Sequence, residues 1–174
     1  MNAVGGRVND QIVELDGPGL SIIMYSPFAA VEMESGCDYA RRLPDGRDLV
    51  DHMNECRILA MGTRWPERGY WLHFSTTLDH AVIARASDHA LFGVEVRDQQ
   101  LCVRGGDDLH EWRTGCPDEQ LVSIEDGFYM VTAMMVPVDE DGPVRIYMHF
   151  ASSPVPPDLG YSDVPELFCE APVW

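Results

Sequence analysis

Short apolar runs separated by clusters of Gly, Pro and Asp are the feature that most constrains the fold of this chain. Runs of this length with this punctuation are typical of β-strands rather than of helices. The candidate strands are LSIIMY (20–25), FAAVEM (28–33), CRILAMG (56–62), GYWLHFS (69–75), AVIARA (81–86), LFGVEV (91–96), QLCVRG (100–105), LVSIE (121–125), FYMVTAMMV (128–136) and VRIYMHFA (144–151). About ten strands exceed the usual size of a single sheet in a small protein. We therefore predict an all-β fold, a two-sheet antiparallel β-sandwich.

Other segments complete this prediction. Residues 48–56 favour one short helix with Asp48 as its cap. The connection RDQQ (97–100) predicts a hairpin loop, and PVDEDGP (137–143) predicts a turn between the last two strands. We expect at most one short helix, and residues 1–18 are left as a loose N-terminal segment.

The tail, residues 152–174, holds five of the twelve prolines. Because proline donates no ladder hydrogen bond, the tail cannot supply a central strand. We predict an irregular, ordered, Pro-rich strap across the sandwich, with VPELFC (164–169) as one helical turn. The alternative is a flexible tail that docks on a partner, and Leu167, Phe168 and Trp174 are its apolar candidates.

Length and cysteine usage limit the organisation of the chain. At 174 residues and 45% hydrophobic content, the sequence predicts one domain over 1–174. It contains no run of 18 apolar residues and opens without a secretory pattern, so we expect a cytoplasmic protein. Five cysteines at irregular spacings, without a C-x-x-C pair, are interpreted as buried free thiols.

The charge is strongly acidic and unevenly distributed. Acidic residues number 29 against 12 arginines, with no lysine, for a formal net charge of -17. Residues 87–174 contain 17 acids and 4 arginines, whereas residues 1–86 contain 12 acids and 8 arginines. Such a surface repels nucleic acid and anionic membranes and attracts basic proteins. The alternative is that the acidity only maintains solubility.

Acidic clusters fall in connections between the predicted strands, so their carboxylates should be solvated. They occur in GGDDLHEW (105–112), CPDEQ (116–120) and VDEDGP (138–143), and no cluster has the residue order of a calcium loop. We predict that they form a rim that binds a basic partner. The proposed partner-binding residues are Asp107, Asp108, Glu111, Asp118, Glu119, Asp139, Glu140 and Asp141.

Two similar runs, WLHFSTT (71–77) and YMHFASS (147–153), each place a histidine beside a phenylalanine. Alternation along a strand puts His73 and His149 on the face opposite Phe74 and Phe150. The two imidazoles could begin a ligand or metal site, but local spacing supplies no third ligand. The Asp-His pairs at 51–52, 79–80 and 88–89 fall in turns or at element ends. No catalytic motif is present, so no catalytic residue, metal or cofactor is assigned.

The order of the C-terminal strands carries a family resemblance. ALFGVEV (90–96), QLCVRGG (100–106), LVSIEDGFYMVTAMMVP (121–137) and VRIYMHFAS (144–152) follow one another with short turns, and SIIMYSPFAAV (21–31) precedes them. This order resembles the bacterial competence nuclease-inhibitor family of the competence protein J type. The segment 34–69 and the tail after Ser152 depart from that family pattern. The resemblance implies a β-sandwich that binds and inhibits a nuclease, and it transfers no interface residue.

The favoured interpretation is therefore an acidic cytoplasmic binding protein, an inhibitor or immunity-type protein for a basic nuclease or toxin. Two alternatives stay open. One is a small-ligand or metal-dependent enzyme that uses His73 and His149. The other is a structural or assembly subunit whose tail packs on another copy, which is compatible with a homo-oligomer.

Overall fold

Two five-stranded sheets form the framework of the molecule. The structure, a computed structural model, describes Val8 and residues 10–43, 46–137 and 142–167. The strands are β1 (Gln11–Asp16), β2 (Ser21–Tyr25), β3 (Ile58–Thr63), β4 (Gly69–Ser75), β5 (Asp88–Val96), β6 (Gln100–Gly105), β7 (Leu121–Ser123), β8 (Gly127–Val136), β9 (Val144–Ser153) and β10 (Glu166–Leu167). The helices are α1 (Leu49–Asn54) and α2 (His80–Arg85). The predicted all-β sandwich is confirmed.

The strand order shows that both sheets are mixed rather than purely antiparallel. The first sheet runs β1-β4-β9-β8-β5 and the second runs β10-β3-β2-β6-β7. Most neighbours pair antiparallel, but β4 pairs parallel with β9 and β3 pairs parallel with β10. The antiparallel prediction is wrong for these two pairs. Alternation identifies a strand and its faces, whereas its partner depends on contacts far along the chain.

Alternation along β4 and β9 fixes which side chains enter the core. Tyr70, Leu72 and Phe74 are buried on one face of β4, as predicted. Their counterparts on β9 are Val144, Ile146, Met148 and Phe150, which are also buried. The rings of Phe74 and Phe150 lie 5.9 Å apart. Full burial of each such side chain stabilises the fold by about 2–3 kcal/mol. The opposite face of these strands, which carries both histidines, is therefore available for a site.

The helices confirm one prediction and correct two. Asp48 caps α1 by accepting a hydrogen bond from the Asp51 amide, as predicted. The predicted strand at 81–86 is instead α2, which Asp79 caps through the amides of Ala81 and Val82. The predicted strand at 28–33 begins as a 3-10 turn over Pro27–Ala30, because proline at the first position favours helical geometry. The expectation of at most one short helix is therefore wrong.

Two further segments differ from prediction and one agrees with it. The segment after Val96 is no hairpin, because β5 lies in the first sheet and β6 in the second, so it crosses between sheets. The segment left as loose contains β1, whose Val13 and Leu15 are buried. The turn between β8 and β9 does join antiparallel neighbours, as predicted.

The Pro-rich tail is an ordered strap as far as the structure describes it. Tyr161 exchanges two hydrogen bonds with the Asn54 side chain and donates its hydroxyl to the Leu91 carbonyl. The predicted helical turn near residue 164 is instead β10, because Glu166 and Leu167 pair with β3. Leu167 is buried within this chain, so it is not free to pack on another copy. Phe168 and Trp174 lie outside the described residues.

Across the described ranges, no helix is both long enough and apolar enough to cross a membrane.

Candidate functional site

Two irregular segments, residues 31–40 and 106–120, lie together beside the second sheet, and we call them the acidic lobe. The Gly36 amide donates to the Trp112 carbonyl over 2.7 Å, and the Trp112 amide donates to the Cys37 carbonyl over 3.0 Å. The Tyr39 amide donates to the Leu109 carbonyl over 2.6 Å. These backbone bonds join the two segments without a regular ladder. The lobe is therefore a defined surface built from connections.

Buried Arg104, on β6, anchors the lobe to the second sheet. Its Nε donates to the Asp108 carboxylate over 2.8 Å, and its Nη1 donates to the Arg113 carbonyl over 2.6 Å. The guanidinium carbon lies 4.5 Å from the centre of the Trp112 ring, which also contacts Tyr25. The side chain of Arg104 is only 3% exposed, whereas that of Asp108 is 38% exposed. One cation thus holds both ends of the segment 108–113.

The electrostatics of this anchor keep the guanidinium charged. Burial alone would lower the pKa of Arg104, but hydrogen bonds with Tyr25 and Asp108 outweigh it and the pKa is raised. Burial also raises the pKa of Tyr25, and Arg104 partly offsets that effect. Arg104 therefore remains a permanent cation at neutral pH, and it partly neutralises Asp108.

A disulfide between Cys102 and Cys116 closes the lobe. Its Cα atoms are 5.9 Å apart, and it ties β6 to the connection that leads to β7. The prediction of free thiols is wrong for this pair, because loop closure brings together cysteines whose spacing shows no motif. Cys37 and Cys56 are free, and Cys169 lies outside the described residues.

Five of the predicted partner-binding acids lie in the lobe. Asp107 and Asp108 belong to a 3-10 turn that starts at Gly106, where a Cβ would come within 1.6 Å of the Ser21 hydroxyl. Asp118 and Glu119 form a second, exposed 3-10 turn, and Glu111 is also exposed. Asp139, Glu140 and Asp141 lie outside the described residues.

The structure adds acids that sequence reasoning missed. Glu32, Glu34 and Asp38 are exposed in the other segment of the lobe. Asp38 lies 3.6 Å from Nδ1 of His110, which belongs to the segment 106–120. Arg113 is the one arginine that the two segments contain. Sequence reasoning missed these acids because residues 31–40 meet the segment 106–120 only through contacts between residues far apart in the chain.

His73 and His149 share a second concave site on the first sheet. The parallel register places His73 opposite Tyr147 and Ser75 opposite His149. A cleft of about 290 Å³ is lined by Asp10, His73, Phe74, Ser75, Thr77, Asp79, Val82, Met134, Tyr147, Met148 and His149. We call it the histidine cleft. The sequence left the pairing of His73 and His149 open as an alternative, because nothing local in it shows that β4 and β9 are neighbours.

His73 is the most perturbed group of the histidine cleft. Its ring stacks on Tyr147 with centroids 4.6 Å apart. Its Nε2 is buried without a hydrogen-bond partner in the described structure. Burial, followed by the positive charge of Arg145, lowers the pKa of His73, so the ring is neutral at pH 7. Among the described residues, no three His, Cys, Asp or Glu side chains are placed to hold a metal ion.

Comparison with known proteins adds information on the fold. No family model and no curated protein matches the sequence. The structure is similar to that of the product of crocagin biosynthetic gene J, with a TM-score of 0.50 and 11% identity over 80% of this chain and 97% of that chain. It is also similar to ComJ from Bacillus subtilis, an inhibitor of the DNA degrading activity of NucA, with a TM-score of 0.47 and 10% identity over 87% of this chain and 100% of that chain. The resemblance to the competence nuclease-inhibitor family is thus found again, at the level of the fold alone.

Proposed function

We propose that this protein binds a basic protein through the acidic lobe and thereby inhibits it. The observation that carries the proposal is the clamping of two acid-rich segments into one surface by Arg104, the Cys102–Cys116 disulfide and backbone hydrogen bonds. Clustered carboxylates on a fixed surface attract a basic patch and accelerate its association. Because the lobe is fixed before binding, little conformational entropy is lost when the partner docks.

Exposed apolar side chains at the same surface favour a protein partner over a small cation. Val31 is 79% exposed within the lobe. Leu20 is 66% exposed and follows Gly19, which packs against the Asp107 carboxylate. Protein interfaces combine an apolar centre with a polar rim. Exposed aliphatic side chains among the acids therefore provide area that a basic protein can bury.

The proposed partner class is a nuclease or toxin. A nuclease must present a basic groove to DNA or RNA phosphates, and an acidic surface can occupy that groove in place of the nucleic acid. The resemblance of the strand order to competence nuclease inhibitors suggests testing nucleases first. The proposed acids are Asp107, Asp108, Glu111, Asp118 and Glu119, joined by Asp139, Glu140 and Asp141 of the β8–β9 connection.

Affinity capture with matched charge variants tests this proposal. A lobe variant carries Asp107→Asn, Glu111→Gln, Asp118→Asn and Glu119→Gln. A control variant carries Glu14→Gln, Asp98→Asn, Asp126→Asn and Asp158→Asn, so both variants have the same net charge. We expect the unmodified protein and the control variant to capture the same basic protein from an extract of the source organism. The lobe variant should capture about one hundredth as much at limiting concentration.

An activity assay of the captured protein then tests the proposed inhibition. We expect its degradation of DNA or RNA to stop when the unmodified protein is added, and to continue with the lobe variant. Capture of no basic protein, or equal capture by the lobe and control variants, would contradict the proposal. Binding without any effect on the partner's activity would contradict inhibition but not binding.

The cytoplasm is the compartment proposed from the sequence, and the Cys102–Cys116 disulfide is the observation that argues against it and provides its test. Disulfides persist mainly in oxidising compartments. Rapid alkylation of thiols in intact cells, followed by mass spectrometry of the peptides with Cys102 and Cys116, measures the state of the pair. Alkylation of both thiols supports the cytoplasm, and an intact disulfide supports an oxidising compartment.

A further inference from the structure

The histidine cleft has polar walls and an apolar base. His73, Ser75, Tyr147 and His149 lie on the outward face of β4 and β9. Met134 of β8 and Val82 of α2 pack together beside Tyr147 and close the apolar base. A cavity of this kind, with an apolar floor and a few polar groups, is typical of a small-ligand site.

Two aspartates line the cleft, and they come from separate elements. Asp10 precedes β1, and Asp79 precedes α2. Oδ1 of Asp79 accepts from the amides of Ala81 and Val82, at 2.8 and 3.4 Å, so this side chain is held in place. Its Oδ2 makes no hydrogen bond among the described residues and is left for a ligand. The wall position of Asp79 is therefore set by the cap that starts α2.

The charges on the described walls of the cleft disfavour an anionic ligand. Among the residues that the structure describes, the lining contains two aspartates and no arginine. Arg145, the cation that acts on His73, lies with its guanidinium 5.5 Å from the centre of the Trp71 ring and outside the cleft. The His73 ring is neutral, and its buried Nε2 has no hydrogen-bond partner among the described residues. A buried polar atom without a partner costs free energy, which a bound hydrogen-bonding group would remove.

We propose that the histidine cleft binds a small organic cation, an ammonium or guanidinium group, between the Asp10 and Asp79 carboxylates and beside the imidazoles of His73 and His149. The carboxylates supply charge-assisted hydrogen bonds, and the imidazole and phenol groups supply further hydrogen-bonding atoms. The cation belongs either to a free metabolite or to a side chain of a protein. This site is separate from the acidic lobe and does not depend on the proposed inhibition.

Nuclear magnetic resonance of the imidazole groups tests the site. The probes are argininamide and citrullinamide, which have nearly the same shape but differ in the charge of the side chain. We expect argininamide to shift the resonances of His73 and His149 saturably, while those of exposed His89 and His110 stay unchanged. Citrullinamide should shift none of them. An equal response to both probes would overturn the proposal.

Asp79→Asn is the decisive variant, because asparagine preserves the helix cap and removes the charge. We expect it to weaken argininamide binding about tenfold, whereas Asp158→Asn, an equal charge change elsewhere, weakens it less than twofold. If Asp79→Asn does not fold, Asp10→Asn, which changes the other lining aspartate, should weaken binding about threefold. Unchanged affinity in the variant that folds would overturn the proposal.

The same titration distinguishes the two sources of the cation. Saturation by free argininamide below about 1 mM indicates a free small molecule. Saturation only by a peptide that contains arginine indicates a side chain of a protein partner. The acidic-lobe variant should bind argininamide like the unmodified protein. Failure of the proposed cation site and failure of the proposed partner site therefore give different results.

Discussion

The acidic lobe and the histidine cleft hold their side chains in place by different means. The lobe consists of connections, and it is tethered by one buried cation, one disulfide and a few backbone hydrogen bonds. The cleft rests on β4, β8 and β9, whose side chains are spaced by continuous ladders. Single changes should therefore displace the lobe, while the cleft should tolerate changes outside its own walls. The proposed partner site thus depends on tethers and the proposed ligand site on the sheet.

Removal of the disulfide is expected to have the largest effect on the lobe and none on the cleft. The bridged cysteines are 14 residues apart. Loss of a closure of this length lowers the free energy of unfolding by about 3 kcal/mol. The variant Cys102→Ala/Cys116→Ala should show this loss in urea denaturation and should bind the partner more weakly, with argininamide binding unchanged.

The half-buried free thiol Cys37 provides the control for that variant. Cys37→Ala should change the free energy of unfolding by less than about 1 kcal/mol. A disulfide variant as stable as Cys37→Ala would show that the lobe does not depend on this tether.

Replacement of the buried cation is the next largest change. Arg104→Met leaves the Arg113 carbonyl and the Tyr25 hydroxyl without their partner. We expect the free energy of unfolding to fall by about 2–3 kcal/mol, less than for a fully buried pair because Asp108 is 38% exposed. Exposed Arg113→Met is the matched control and should cost less than about 0.5 kcal/mol. Equal losses in the two variants would contradict the anchoring role of Arg104.

The smallest expected effect concerns His73 in the cleft, and it appears as a pH dependence of the free energy of unfolding. Burial and Arg145 lower the pKa of His73 below its ordinary value of 6.5. The unfolded chain therefore binds a proton that the folded chain does not, so stability falls as the pH drops below 6.5 towards the folded pKa. In His73→Phe this part of the pH dependence should vanish from urea denaturation curves, with partner binding unchanged. An identical pH dependence in both proteins would show that His73 is not responsible.

The sequence predicted where the strands lie and which faces they bury better than it predicted which strands pair with each other. Alternation placed Phe74 and Phe150 inside and both histidines outside, because it depends on residues two apart. It could not separate a helix from a strand at residues 81–86, since a short run of mostly apolar residues fits both. Asp79, the cap of α2, was the available signal.

The two candidate sites show the same limit. Acidic connections were visible as sequence clusters, but the disulfide and the contact with residues 31–40 arise from chain closure. The histidine cleft requires β9 to lie parallel to β4, and these strands are far apart in the sequence. Non-local pairing therefore decides where both sites form.

The ionic-strength dependence of the association rate tests the central claim, that the acidic lobe binds a basic partner, most directly. With the captured partner, rate constants at 50 and 500 mM NaCl are compared for the unmodified protein, the lobe variant and the control variant. Screening should slow association of the unmodified protein and of the control variant about tenfold, and that of the lobe variant less than about twofold. Equal salt dependence in the lobe and control variants would contradict the claim.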